Sequence, residues 1–433
     1  IYTGEDTLSL HDALPILTMF VVLIVKYGSW IFGLSAADRM RIVKGIPSRQ
    51  TPLAVWEVVR ESLLHRRIFK VNPLLGYMHM SLAFGWFLLI VVGWIETVAY
   101  LGFRYVPLHG HVFFKYFATE LPHKPVFDFL MDLLLLFVLS GVTLAFGKRI
   151  YSQAMGMHRT TRHVLGDRIA LSVLWLIFPA RLLAESITCA LHGGGGFLTG
   201  TIGEWMAHHV NPIVLQTLYE PLWWAYSICL GLFFVALPFS RYMHIFTEIP
   251  LIFLRRYKLH STEKEGSFDR FQTDACSRCG ICIDPCQLQS ELGIDDVQSV
   301  YFLRDRRYNH LRQSVANNCL MCGRCEQRCP VGIELNTLRL NSRDTMRNTP
   351  DEKRYEYFQG VDRSAGEGRV GYFAGCMTLL TPRILLAMER IFKASGEEVW
   401  WADKEGGVCC GRPLKLSGET DSARKMMDYR SEE

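Results

Sequence analysis

Eight of the 13 cysteines lie in two runs that share one spacing. The first run, CSRCGICIDPC, and the second, CLMCGRCEQRCP, both follow C-x2-C-x2-C-x3-C. Three thiolates within seven residues can wrap one face of an iron–sulfur cube, and soft sulfur ligands suit iron. The runs therefore predict two 4Fe-4S clusters. Their ligands are Cys276, Cys279, Cys282, Cys286, Cys319, Cys322, Cys325 and Cys329.

The two runs are expected to exchange their last ligands, because the fourth cysteine of each such run binds the other cluster. Cys329 would then complete the cluster of the first run, and Cys286 the cluster of the second. The alternative metal is zinc, which is typically bound by separated C-x2-C pairs. Gln287 follows Cys286 where a proline is usual, and the 32 residues between the runs suggest a helical two-cluster domain.

Three more cysteines follow in the polar C-terminal part. Cys376 ends the sequence YFAGC, and Cys409 and Cys410 are adjacent within GGVCCG. Adjacent cysteines in a Gly-rich turn usually belong to a larger ligand set, although packed thiols are the alternative. The surrounding residues 369–429 alternate strand, helix, strand, Gly-rich turn and helix patterns, which predicts an α/β domain. Residues 257–275 and 346–368 are polar and are predicted to be linkers.

The elements that must carry these sites include a membrane domain. Apolar residues make up 49% of the 433 residues, and the net charge of +5 is too small to indicate nucleic-acid binding. A span needs about 20 apolar residues. Pro221 and Pro238 are expected to shorten the last of five such stretches. These stretches are roughly Leu17–Leu34, Gly76–Leu101, Val126–Gly147, Ile169–Leu191 and Ile213–Phe246.

Loop charges predict the orientation of the spans. The loop 35–75 contains eight Lys and Arg residues, whereas the loop 192–212 contains none. By the positive-inside rule, the N-terminus lies outside and the cysteine-rich half faces the cytoplasm. The predicted location is a bacterial or archaeal cytoplasmic membrane.

Two histidines near the inner ends of spans could bind haem b. His79 lies in the second stretch and His244 in the fifth, at one depth on the cluster side. Two imidazoles facing across a helix bundle can bind a six-coordinate haem. The alternative is that both histidines reach the water interface. Solvated loop positions are expected for ten further His residues, namely His65, His109, His111, His123, His158, His163, His192, His208, His209 and His260.

Ionisable side chains inside the fourth and third stretches raise a further question. Arg181 and Glu185 are one turn apart and could pair with each other, or could contact a haem propionate or a quinone. Asp128 and Asp132 present the same choice. Cys189 and Cys229 are most simply packed thiols.

The order of these parts resembles the heterodisulfide-reductase family. The membrane half is similar to the nitrate-reductase gamma and heterodisulfide-reductase E cytochromes, and the rest is similar to the heterodisulfide-reductase D iron–sulfur protein. The resemblance rests on the eight ferredoxin cysteines and on the YFAGC and CCG sequences. It extends over most of residues 17–429 and implies a five-helix transmembrane bundle, a helical two-cluster domain and a cysteine-rich α/β domain, at about 17–250, 251–345 and 369–429.

The resemblance also implies specific roles. Cys376, Cys409 and Cys410 would belong to an iron–sulfur centre at a catalytic thiol/disulfide site, which a C-x-x-C motif beyond residue 433 would complete. Two-haem relatives carry a second histidine pair on the same helices. Tyr226 occupies one such position here, so one haem is expected.

The sequence thus predicts a subunit that passes electrons between a membrane quinone, haem b, two 4Fe-4S clusters and the cysteine-rich site. Its partners would be lipid, quinone and other subunits of a redox complex. The enzymatic interpretation is a quinone-linked disulfide reductase, or a part that serves a partner dehydrogenase. The alternative is a non-catalytic anchor that relays electrons to a soluble partner.

Both ends are expected to be foreign to the protein. Residues 1–16, IYTGEDTLSLHDALPI, match a translated sequencing adapter, and residues 430–433, RSEE, fit the complementary adapter. Such segments are excluded from fold reasoning. Residues 17–429 are then expected to be part of a longer protein.

Overall fold

The chain is mostly helical. The computed structural model describes residues 10–101, 123–151, 161–262, 265–346, 369–401, 403 and 410–431. The chain divides into two compact units. The first falls within Ile1–His260, Gly266–His310 and Arg324–Glu334. The second falls within Ser261–Glu265, Leu311–Gly323 and Leu335–Glu433.

Five helices of the first unit are long and apolar enough to cross a membrane, as the sequence predicts. Helix α5 (Pro73–Leu101) packs against α6 (Lys124–Ile150), and α7 (Leu165–His192) packs against α9 (Pro212–Ala236). Gly85 permits the close approach of α5 to α6, since a Cβ there would lie 2.8 Å from Val138 Cγ2. The five helices are α1 (Leu10–Phe32), α5 (Pro73–Leu101), α6 (Lys124–Ile150), α7 (Leu165–His192) and α9 (Pro212–Ala236).

The fifth long helix is shorter than the apolar stretch Ile213–Phe246, as Pro238 led us to expect. It ends at Ala236, and a 3-10 turn at Leu237–Phe239 contains Pro238, which lacks the N–H that a continuing helix needs. Ser240 is extended, and a second 3-10 turn leads into α10 (His244–Arg256). His244 therefore begins a separate helix, and its predicted place in the fifth span was wrong.

Shorter helices surround the bundle in the first unit. A π-turn, Val59–Leu63, follows α3 (Gln50–Val58). The other helices are α2 (Ala36–Gly45), α3 (Gln50–Val58), α4 (Arg66–Val71), α8 (Thr199–His209), α11 (Ser267–Asp274), α12 (Gln287–Ser290), α13 (Ser299–Arg307) and α15 (Arg324–Arg328).

The predicted linker 257–275 is partly an ordered helix. Phe271 of α11 is buried, stacks on Tyr27 of α1 at 5.9 Å between ring centroids, and meets Trp30 edge-on at 5.0 Å. The mostly polar composition of the segment gave no sign of this apolar face, because Phe268 and Phe271 are the only large apolar residues of α11. The other predicted linker, 346–368, lies outside the described residues beyond Met346.

The second unit contains a short strand–helix–strand motif. Strands β1 (Val370–Tyr372) and β2 (Val399–Trp401) pair in parallel, with Gly371 opposite Trp400. Helix α18 (Pro382–Ser395) joins them, as parallel strands require a crossover. These two strands are the only ones in the described residues, so the predicted α/β domain is represented by this motif alone. The other helices are α14 (Gln313–Asn317), α16 (Leu335–Thr345), α17 (Cys376–Leu379), α19 (Arg412–Ser417) and α20 (Thr420–Ser431).

Candidate cofactor sites

Both cysteine runs fold into loops with the same backbone signature. In the first run, Arg278 and Gly280 have positive φ angles of 53° and 91°. In the second run, Met321 and Gly323 occupy the equivalent positions with φ angles of 53° and 76°. A left-handed conformation is costly for arginine and methionine. Because it recurs two residues after the first cysteine of each run, both loops must need the same backbone path around their cysteines.

Cys329 of the second run lies near the cysteines of the first. Burial raises the pKa of the Cys276 thiol to about 12, and the neighbouring Cys329 and Cys279 thiols act in the same direction. Burial likewise raises the pKa of Cys329 to about 11. The Cys329 thiol is thus close to those of Cys276 and Cys279, as the predicted exchange of ligands requires.

Polar groups approach the sulfurs of the other cysteines. Ser299 Oγ donates to Cys325 Sγ at 3.1 Å, and Gln298 Nε2 lies 3.9 Å from Cys286 Sγ. In the second unit, the backbone N–H of Met321 donates to Cys319 Sγ at 3.4 Å, and Cys322 is exposed. Hydrogen bonds to the sulfurs tune the reduction potential of an iron–sulfur cluster.

The cysteine loops have the donor chemistry of a cubane site. In the described part of the chain, no three His, Cys, Asp or Glu side chains converge as a single metal ion requires. The ligands of a cubane cluster lie farther apart than those of a single metal ion, since each thiolate binds a different iron atom. Burial disfavours the thiolate form of these cysteines when no metal is bound. A bound cluster deprotonates its thiol ligands.

His79 and His244 line one cavity of about 470 Å³ in the first unit. His79 Nε2 is buried and has no hydrogen-bond partner among the described residues. His244 Nδ1 donates to the Arg241 carbonyl at 2.7 Å, and burial lowers the pKa of His244 to about 3, so its ring is neutral. A neutral imidazole whose Nδ1–H is fixed by a carbonyl presents Nε2 as a metal ligand. The cavity therefore offers two histidine side chains, His79 and His244, that could hold a haem b.

Two further histidines line the same cavity, and their prediction as solvated loop residues was wrong. His65 lies with its ring 5.5 Å from that of His79 and nearly parallel to it. His163 contacts the Arg241 guanidinium at 3.2 Å, and burial lowers the pKa of His163 to about 3. Both lie outside the apolar stretches, where periodicity gives no sign of burial.

None of the other histidines in the described residues lines this cavity. His260 is exposed and contacts Glu334 at 2.7 Å, and His208 and His209 are exposed on α8. His123 precedes α6, and the ring of His192 meets that of Tyr219 at 5.9 Å. His109, His111 and His158 lie outside the described residues.

Two basic side chains connect the histidine cavity to the first cysteine loop. Arg241 lines the cavity and donates from Nη2 to the Ser277 carbonyl at 2.7 Å. Lys148 also lines the cavity and donates to the Cys279 carbonyl at 3.2 Å. Arg278, between Cys276 and Cys279, also lines the cavity, so the first cysteine loop forms part of its wall.

Asp167 fixes the same loop from the start of α7. Its carboxylate, which is fully buried, forms an ion pair with Arg278 between the first two cysteines. It also accepts the Arg241 backbone N–H at 2.7 Å and the Tyr308 hydroxyl at 2.9 Å. Sequence inspection missed Asp167, although its position at the edge of an apolar stretch was a usable signal.

The ionisable residues of the other helices have distinct partners. Arg181 and Glu185 form the predicted ion pair at 2.8 Å. Asp132 accepts the N–H groups of Leu198 and Thr199 at 2.6 and 2.9 Å, and therefore caps the start of α8. Asp128 lines a second cavity, which also contains Cys189, and Cys229 is half-buried.

The cysteine-rich motif is described in part. Cys376 is exposed at the start of α17, Cys410 is half-buried, and Cys409 lies outside the described residues. Asp403 holds the turn before Cys376 by accepting the N–H groups of Ala374 and Gly375 at 2.9 and 2.6 Å. It also accepts the Trp401 indole N–H at 2.8 Å.

Comparison with known proteins identifies one part of the chain. Residues 272–333 match the 4Fe-4S dicluster domain family. No curated protein and no solved structure matches the chain. The matched segment contains all eight cysteines of the two runs, so the match supports 4Fe-4S cluster binding. Together with the five apolar helices, it fits an iron–sulfur protein that is associated with a membrane and transfers electrons.

Proposed function

We propose that this chain is an electron-transfer subunit of a cytoplasmic-membrane oxidoreductase. Electrons would pass between a membrane quinone, one haem b, two 4Fe-4S clusters and the cysteine-rich site, with the clusters on the cytoplasmic side. The observation that carries the proposal is the 2.7 Å hydrogen bond from Arg241 to the Ser277 carbonyl, which joins the histidine cavity to the first cysteine loop.

The histidines supply the other support. His79 and His244 both line one cavity, and haem b bound there would carry one electron at a time. The protein residues hold the rings, exclude water and orient the loop. The short connection through Arg241 and Lys148 favours transfer between the cavity and the cluster of Cys276, Cys279, Cys282 and Cys329.

Thiol/disulfide chemistry at Cys376, Cys409 and Cys410 is the enzymatic form of the proposal, in keeping with the resemblance to heterodisulfide reductases. Exposure of Cys376 favours this form, since a catalytic thiol must be reachable. The second form is a relay that delivers electrons to a soluble partner. Replacement of Cys376 by serine separates them, because on-chain disulfide reduction would be lost and a relay to a partner would persist.

A difference spectrum of the purified full chain tests the haem. The reduced-minus-oxidised spectrum should show a b-type band that disappears in His79→Ala and in His244→Ala. His208→Ala, on the exposed face of α8, is the matched control and should retain the band. A wild-type protein without a b-type band, or an unchanged band in both variants, would refute the haem assignment.

A further inference from the structure

A second cavity, of about 560 Å³, lies between α5, α6, α7 and α9. Its volume is in the range of sites for small organic ligands. The walls from α5 are mostly apolar and include Leu89, Ile90 and Gly93. No histidine is among the lining residues in the described part of the chain, so the cavity lacks the imidazoles that the first cavity offers.

One side of this second cavity is strongly polar although it lies within membrane-length helices. Arg181 and Glu185 pair at 2.8 Å, and both line the cavity with Tyr226. Tyr226 is 6% exposed and hydrogen-bonds to Arg181. A guanidinium has five N–H groups, which is more than Glu185 Oε1 and the Tyr226 oxygen accept. Donors thus remain for a ligand that accepts hydrogen bonds, and ionisable groups at such positions commonly mark ligand sites.

Trp86 separates the two cavities. It is the one residue that lines both of them within the described part of the chain. Its indole packs against Phe233 and Phe178, with ring centroids 5.2 and 5.5 Å away. A ligand in the second cavity and a group held by His79 would therefore be separated by one aromatic side chain.

We infer that the second cavity binds the head group of a membrane quinone or quinol. The inference rests on the proposed function, to which it adds the place of the lipid-soluble substrate. Such a ligand is apolar enough to enter between membrane helices, and it carries oxygens that accept hydrogen bonds. Arg181 and Tyr226 are the donors, and Glu185 orients the guanidinium.

Gly93 provides a variant that fills the cavity. A Cβ at this position would meet only Met131 Cε, at an ordinary 3.6 Å, so a larger side chain fits the backbone and extends into the lumen. Gly28 of α1 is the matched control, because a Cβ there meets nothing within 4 Å and Gly28 lines neither cavity. Tyr226→Phe removes one hydroxyl and keeps the ring packing.

Binding of short-chain naphthoquinone and benzoquinone analogues to the full chain in nanodiscs tests the inference by titration calorimetry. We expect one site for at least one analogue, with affinity at least tenfold weaker in Gly93→Leu and about three- to tenfold weaker in Tyr226→Phe, the effect of one hydrogen bond. Gly28→Leu should bind as the wild type does.

Two results would overturn the inference. The first is no saturable binding of either analogue, or equal affinity in Gly93→Leu, Tyr226→Phe and wild type. The second is two haems per chain of which Gly93→Leu loses one, since a haem would then occupy this cavity. Haem content is read from the same samples by absorbance. Absence of any b-type haem together with quinone binding that Gly93→Leu weakens would instead refute the proposed function and leave the quinone site standing.

Discussion

Asp167 and Arg278 form a buried ion pair between the first turn of a membrane-length helix and the loop that carries Cys276 and Cys279. The two side chains are 0% and 3% exposed. Ion pairs of this kind contribute little net stability compared with apolar packing, but they fix one arrangement of the groups they join. Here the pair fixes the first cysteine loop against the start of α7, beside the histidine cavity.

Asp167→Asn should destabilise this junction, because Arg278 would retain a buried charge without a counterion. We expect a loss of about 3–5 kcal/mol. Thermal loss of cluster absorbance should therefore begin at a lower temperature. Asp295→Asn is the control, since its pair with the 64%-exposed Arg162 lies at the surface and is expected to contribute about 0–1 kcal/mol. Equal thermal stability of the two variants would contradict the role of Asp167.

Exchange of ligands between the cysteine runs can be tested by pairwise comparison. Cys329→Ser and Cys276→Ser should remove the same cluster and about half of the iron, whereas Cys286→Ser should remove the other cluster. Electron paramagnetic resonance of the reduced protein distinguishes the remaining cluster. Cys229→Ser, on α9, should retain both. The assignment fails if Cys329→Ser and Cys286→Ser lose the same signal.

His65 should influence the haem without binding it. Its ring stacks on that of His79, so His65→Leu should retain the b-type band but raise the midpoint potential, because a less polar neighbour stabilises the ferric charge less well. A redox titration followed in the b-type band measures this shift. His260→Leu, at an exposed site, should leave the potential unchanged. Loss of haem in His65→Leu would instead make His65 a ligand.

Asp403 should hold the turn that leads into Cys376. Asp403→Ala leaves three N–H donors without their acceptor, at about 1–3 kcal/mol for each donor that stays buried. Hydrogen exchange at Ala374 and Gly375 should accelerate in the full chain. Glu389→Ala, which removes an exposed pair with Lys393, should not change it. Unaltered protection in Asp403→Ala would show that the turn is held by other contacts.

The sequence predicts well those features that depend on local pattern. The five membrane-length helices follow from runs of apolar residues, and the match at 272–333 agrees with the regular cysteine spacing. The strand–helix–strand pattern around Cys376 is also visible in the sequence. Each of these features is encoded within a few tens of residues, so no tertiary information is needed.

Features that depend on distant contacts were missed. His65 and His163 line a cavity whose walls come from several helices, and nothing near them in the sequence indicates this. Asp167 meets Arg278 across 111 residues. The break at Pro238, which moves His244 into α10, was only partly visible, because proline signals a break but not where the chain resumes its helix.

Reoxidation of the clusters by quinone tests the central claim most directly. The purified full chain is reduced with dithionite, excess reductant is removed, and cluster absorbance is followed after addition of a quinone analogue. We predict rapid reoxidation in the wild type and in His208→Ala, and much slower reoxidation in His244→Ala with both clusters intact. Equally fast reoxidation in His244→Ala would show that electrons reach quinone without the histidine cavity, and would contradict the proposed route.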